Sequence, residues 1–206
     1  MQLTVNLSVN SIVKTSLTPE WVDFNLYQLK VSNSLLAKQN TQILHTLSGI
    51  IDQLDDAEYT GTKAPYYNSS IGAHTRHILD HYLMFIVGLS EGIIDYDKRC
   101  RNPEIETCRS RAKLTIDRIT AALEGLPDTN TRVAAKLNIV PSGDTPAQHS
   151  TIGRELTFLY SHTVHHHSII AIIMRLMEKE VSSDIGYAPS TLNYQNETKN
   201  KTTCAH

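Results

Sequence analysis

The sequence is poor in features that mark several large classes of protein. Its 206 residues include only three cysteines, Cys100, Cys108 and Cys204, an odd number without a CxxC pair, which argues against a disulfide framework. The 19 lysines and arginines nearly balance the 21 aspartates and glutamates, so the chain carries no basic footprint for nucleic acid or an anionic membrane. Glycine-rich phosphate loops are also absent.

Long apolar runs are missing too. The longest stretches, such as residues 169–174, fall well short of the roughly 20 residues that a membrane span needs. The N-terminus lacks the basic start and apolar centre of a signal peptide. The length suits one domain with a full core. These features predict a cytoplasmic protein that binds neither nucleic acid nor membranes.

Four segments repeat apolar residues at the spacing of an amphipathic helix. They cover about residues 33–55, 70–91, 102–126 and 150–179. The third begins with Asn102 as a helix cap and Pro103 at the first helical position, and it ends near Gly125. The fourth is the most apolar, so we expect it to lie centrally. The pattern predicts an all-α fold, a four-helix bundle.

Two segments alternate apolar and polar residues as half-buried strands do, residues 3–9 and 132–139. Either the two pair as a small two-stranded element beside the bundle, or the first is a disordered terminus. The polar segment from Asn193 onward predicts a tail with a disordered end. We therefore predict an N-terminal extension at 1–32, the bundle at 33–182 and a C-terminal tail at 183–206.

Histidine is the residue type whose distribution is unusual in this sequence. Seven of the ten histidines form two clusters, at positions 74, 77 and 81 and at positions 162, 165, 166 and 167. Residues three or four apart share one face of a helix, so His162 and His166 can grip one ion. Three neutral imidazoles with an open position form a common catalytic site for zinc, nickel or iron. The first cluster would supply the third ligand, and spacing alone allows His74 or His77.

Other polar residues near these clusters bear on the mechanism. Thr163 stands where an HExxH metalloprotease carries its glutamate, which argues against that mechanism. Glu155, two turns before His162, is either a catalytic base that supports the site or a charge that complements the helix dipole. The charged segment with Asp97, Arg99 and Arg101 either recognises an anionic substrate or is simply solvated.

Two motifs resemble those of the DinB-like (YfiT-like) family. The segment from Ser70-Ile71-Gly72 to His77-Ile78 looks like the start of that family's second helix, and residues 162–166 look like its fourth-helix His-x-x-x-His motif. The resemblance implies a four-helix bundle, often a homodimer, with a divalent metal (zinc, nickel or iron) held by His77, His162 and His166. His167 departs from the arginine that often follows the last ligand.

The family also suggests functions. It contains thiol-dependent transferases and isomerases, and related bundles act as iron-dependent sulfoxide synthase domains. The leading hypothesis is a metal-dependent transferase whose small-molecule substrate is a low-molecular-weight thiol, deprotonated by the metal. The alternatives are a metal-dependent hydrolase, an iron-dependent redox enzyme, and a non-enzymatic stress protein with a structural metal.

Overall fold

The computed structural model describes residues 20–140 and 145–203, with side chains for 35–140 and 145–199. In chain order, the elements are α1 (Glu20–Asp52), α2 (Asp56–Thr60), α3 (Ile71–Glu91), β1 (Ile93–Asp95), α4 (Pro103–Thr107), α5 (Arg109–Glu124), β2 (Arg132–Lys136), β3 (Gln148–Thr151), α6 (Ile152–Leu176) and α7 (Pro189–Thr203).

The four long helices α1, α3, α5 and α6 form the bundle. Helices α1 and α3 each pack against both α5 and α6, so the bundle is a ring in which α1 lies diagonally across from α3. Their inward faces bury one continuous apolar core, which includes Leu47, Phe85, Ile116 and Leu159. The predicted four-helix bundle is confirmed. Along the described part of the chain, no helix combines the length and the apolar character that crossing a membrane requires.

The helix bounds differ from the sequence expectation at three places. The first helix begins at Glu20, earlier than expected. The third predicted helix is broken at Cys108, whose extended backbone ends α4 and begins α5. The polar tail contains α7, which has few partly buried side chains and therefore no apolar stripe that could have signalled a helix. The start of α4 agrees with the prediction, because Asn102 caps it and Pro103 opens it.

A three-stranded sheet lies beside the bundle in the order β1–β2–β3. Strand β2 lies within the segment 132–139 predicted to be extended; it pairs parallel to β1 and antiparallel to β3. The predicted two-stranded element is therefore three-stranded, with both edges of β2 occupied. The strand predicted at residues 3–9 lies outside the described residues. Because β3 runs directly into α6, the sheet sets where that helix begins.

Two close contacts position α3 for its part in the site. Ser70 caps the helix by accepting a hydrogen bond from the backbone of Ala73. Gly72 lies so close to α4 that a Cβ atom there would stand 2.0 Å from the carbonyl oxygen of Glu106, so only glycine fits. In the core, Tyr82 of α3 donates a hydrogen bond to the side chain of Asn40, which in turn donates to the carbonyl of Leu156 in α6. These contacts fix α3 against α6.

Candidate metal centre

Three histidines meet where α3 crosses α6. The two helices are antiparallel, because His74 contacts His166 while Tyr82, two turns further along α3, contacts Thr163. His77 projects from α3, and His162 and His166 project from one face of α6, four residues apart. One ligand nitrogen from each of the three lies within 4.8 Å of the other two. The structure thus brings together the three residues that the family motif implies as ligands.

The distances suit a single ion. Nε2 of His162 lies 3.2 Å from Nε2 of His77 and 3.2 Å from Nε2 of His166. Two nitrogens bound to one tetrahedral zinc ion at about 2.0–2.1 Å would be about 3.3–3.4 Å apart. Within the described side chains, no cysteine, aspartate or glutamate completes the cluster. The donor set is therefore three imidazoles with a position left for another ligand.

All three imidazoles are neutral at physiological pH. Burial and the neighbouring histidines lower the pKa of His77 to about 4, that of His162 to about 2 and that of His166 to about 3. A neutral imidazole keeps the nitrogen lone pair that a metal ligand needs. Burial therefore prepares the cluster for a cation, and the residues fit a divalent metal ion.

His74, the alternative first ligand, lies behind the cluster. Its Nδ1 is 2.9 Å from Nδ1 of His166, and its Nε2 is 3.0 Å from the hydroxyl of Tyr67. With Nε2 of His166 directed at a metal, Nδ1 of His166 would carry the proton and donate it to His74. His74 would then donate to Tyr67. This chain of hydrogen bonds orients His166, and it occupies both ring nitrogens of His74.

We expect His77→Ala to weaken zinc affinity by several orders of magnitude, because it removes a ligand. His74→Ala should weaken it between about tenfold and a hundredfold, the range typical of residues that orient a ligand. Competition with a chromophoric zinc chelator measures both affinities. Equal losses, or a greater loss in His74→Ala, would contradict the choice of His77 over His74 as the ligand.

His81 lies beside the cluster in a different role. Its Nδ1 donates a hydrogen bond to the backbone carbonyl of His77, and its Nε2 accepts one from Nη1 of Arg99 at 3.0 Å. Both ring nitrogens are therefore occupied. The imidazole packs against His162, with 4.1 Å between ring centroids, and stacks on Tyr96. His81 thus links the charged segment before α4 to the three-histidine cluster.

The last two histidines of α6 have opposite environments. His165 is exposed. His167 is buried, its Nε2 has no hydrogen-bond partner among the described residues, and burial lowers its pKa to about 4. An arginine at this position would have to bury a charge, so the histidine that stands there suits its surroundings better.

Glu155 is buried near the histidines, and the ring of Tyr96 lies between its carboxylate and His81. Its carboxylate accepts hydrogen bonds from the hydroxyl of Tyr96 at 2.7 Å and from that of Ser150 at 2.5 Å. Tyr96 in turn stacks on His81. These contacts are those of a residue that positions Tyr96 against the site; its role as a base remains a prediction.

A cavity of about 350 Å³ lies between the sheet and α6, with Tyr96, Glu155 and Phe158 in its wall. Phe158 stacks on His162 with ring centroids 5.7 Å apart, so this ring separates the cavity from the cluster. Sequence reasoning missed Phe158, although it lies four residues before His162 and on the same helical face. It also missed Tyr67 and Tyr96, which lie outside the four predicted helices.

Comparison with solved structures shows the same fold in other proteins. Two solved structures of Bacillus subtilis proteins share the fold. The DinB-like protein YjoA has a TM-score of 0.53 and 16% identity over 71% of this chain and 93% of its own. YfiT, described as a probable metal-dependent hydrolase with an unusual four-helix bundle topology, has a TM-score of 0.50 and 15% identity over 82% of this chain and 95% of its own.

Sequence comparison identifies the family. FK506-binding protein 5 of Rhizopus delemar is 32% identical over 109 residues, which are 50% of this chain and 27% of that protein. The chain thus spans about a quarter of the length of this relative. The sequence model of the DinB superfamily matches residues 39–170, more than half of the chain and all three clustered histidines. The protein belongs to the DinB superfamily.

Proposed function

We propose that the protein is a metal-dependent enzyme whose single divalent ion is held by His77, His162 and His166. The observation that carries this proposal is the convergence of three neutral imidazoles, without a fourth ligand from the described side chains. His77 and His162 are only half-buried, so one side of the cluster remains accessible to a substrate. Three protein ligands with an accessible position are typical of catalytic rather than structural zinc sites.

The chemistry that we propose is thiol transfer. When bound, a divalent ion lowers the pKa of a thiol or of water and so supplies a nucleophile at neutral pH. Because all three imidazoles are neutral, they leave the charge of the cation uncompensated, which favours an anionic fourth ligand such as a thiolate. His74 would hold His166 in its ligating orientation through their Nδ1 atoms. A cytoplasmic location, where small thiols stay reduced, suits this proposal.

Hydrolysis is the second candidate. The description of YfiT as a probable metal-dependent hydrolase favours it, since the two proteins share the bundle. The carboxylate of Glu155 is held by Tyr96 and Ser150, so a metal-bound water would lack this residue as a general base, whereas a thiol needs only the ion to become a thiolate. This arrangement is why we rank thiol transfer first.

Cobalt substitution distinguishes the two candidates. We expect cysteine and glutathione to produce a thiolate-to-cobalt charge-transfer band, because a thiolate would bind at the accessible position. S-methylcysteine is the control, since its thioether cannot form a thiolate. A cobalt protein whose spectrum responds to no thiol would contradict thiol transfer and favour hydrolysis. A protein that binds no cobalt would contradict both.

A further inference from the structure

Arg99 is a half-buried arginine that forms no ion pair with the described residues. In the segments that the structure describes, no carboxylate forms an ion pair with its guanidinium, and its hydrogen bond goes to a neutral acceptor, Nε2 of His81. Burying a guanidinium in part is costly, and burial lowers the pKa of Arg99 although the charges of Asp97 and Asp80 act in the opposite direction. Such an arginine is typical of a site that receives an anion.

The nearby acids all have other partners. One oxygen of Asp97 accepts the backbone N–H of Asn138 at 2.7 Å. Asp80 and Glu106 both pair with Arg76, at 3.5 and 2.7 Å. Asp97 and Asp80 thus act on Arg99 only through their charge at a distance, and none of the described carboxylates contacts its guanidinium.

The guanidinium is also one imidazole ring away from the three-histidine cluster. Arg99 contacts Nε2 of His81, and the ring of His81 lies against both His77 and His162, with centroid distances of 4.6 and 4.1 Å. The backbone of the next arginine, Arg101, has a φ of 49°, in the left-handed region that side chains rarely adopt. Strain of this kind often accompanies functional sites.

We propose that Arg99 binds a carboxylate group of the substrate, which reaches the three-histidine site through another of its atoms. This inference rests on the proposed function and names its substrate class: a small organic anion. One donor of the guanidinium is engaged by His81, and the fork of the remaining donors matches a planar carboxylate. A substrate bound both by Arg99 and at the three-histidine site would lie across the ring of His81, which is between them.

Acetate is the probe, with neutral acetamide of similar shape as its control. We expect acetate, but not acetamide, to shift the side-chain Nε–Hε signal of Arg99 in ¹⁵N NMR spectra of the zinc-loaded protein at constant ionic strength. By calorimetry, Arg99→Gln should weaken acetate binding by about tenfold or more, because it removes the charge. Arg99→Lys should retain part of the affinity. Arg118→Gln, which removes an exposed arginine on α5, should leave it unchanged.

Each result bears on one of the two proposals. Equal acetate affinity in Arg99→Gln and the unchanged protein, with zinc bound to both, would overturn the role of Arg99 and leave the metal site intact. Acetate binding that depends on Arg99 in a protein unable to bind zinc would support the anion site and overturn the proposed metal function.

Discussion

Replacing both His162 and His166 by alanine is expected to reduce bound divalent metal from about one ion per chain to none. The pair contributes two of three nitrogens, and the remaining imidazole of His77 cannot hold an ion alone at ordinary concentrations. Elemental analysis of protein purified without affinity-tag metal measures the stoichiometry. Retention of the full metal content in the double variant would contradict the site.

The same variant tests whether the metal is structural. Helical circular dichroism should persist, because the core buries large apolar side chains from all four bundle helices independently of the cluster. When a chelator removes the metal from the unchanged protein, the melting temperature should fall only by the stabilisation that metal binding provides. His165→Ala is the matched control, since this histidine is adjacent and exposed. If loss of the metal unfolds the chain, the ion is a structural element and the enzyme proposal loses its support.

The metal-free protein should lose stability steeply between pH 7 and pH 5. Burial lowers the pKa values of His77, His81, His162, His166 and His167 to about 4 or below, whereas an unfolded histidine titrates near 6.5. Between these values the unfolded state binds more protons, so the free energy of unfolding falls as pH falls. The stabilisation is complete above about pH 6.5. Urea denaturation at several pH values measures the slope.

The contribution of His167 to this loss of unfolding free energy can be measured separately, because its Nε2 has no hydrogen-bond partner in the described structure. Its lowered pKa corresponds to about 2 kcal/mol lost by pH 5, before most carboxylates titrate. His167→Leu should remove that loss and raise stability at pH 7, since an unpaired polar atom leaves the core. His45→Leu, at an exposed position, is the control. An unchanged pH slope in His167→Leu would show that this histidine is solvated.

The helical part of the site could be predicted from local spacing. A period of 3.6 residues places His162 and His166 on one face wherever that helix packs, and the cap at Asn102 marks the start of α4 in any context. The break at Cys108 could not be predicted, because neither proline nor glycine occurs in residues 104–124 to mark it. Strand β1 has three residues, which are too few to show the alternating apolar and polar pattern of a strand. It forms because it pairs with β2.

Spacing along the chain determined that two histidine clusters lie on two helices, and the motifs indicated the family. The crossing of α3 and α6 decided the rest. His74 and His77 are one turn apart on nearly the same face, so only the level at which α6 passes could put His77 into the cluster and His74 behind it. Long-range packing likewise placed the segment between β1 and α4 against α3, so that Arg99 donates a hydrogen bond to His81. Local geometry sets which side chains share a face, whereas long-range packing sets what that face meets.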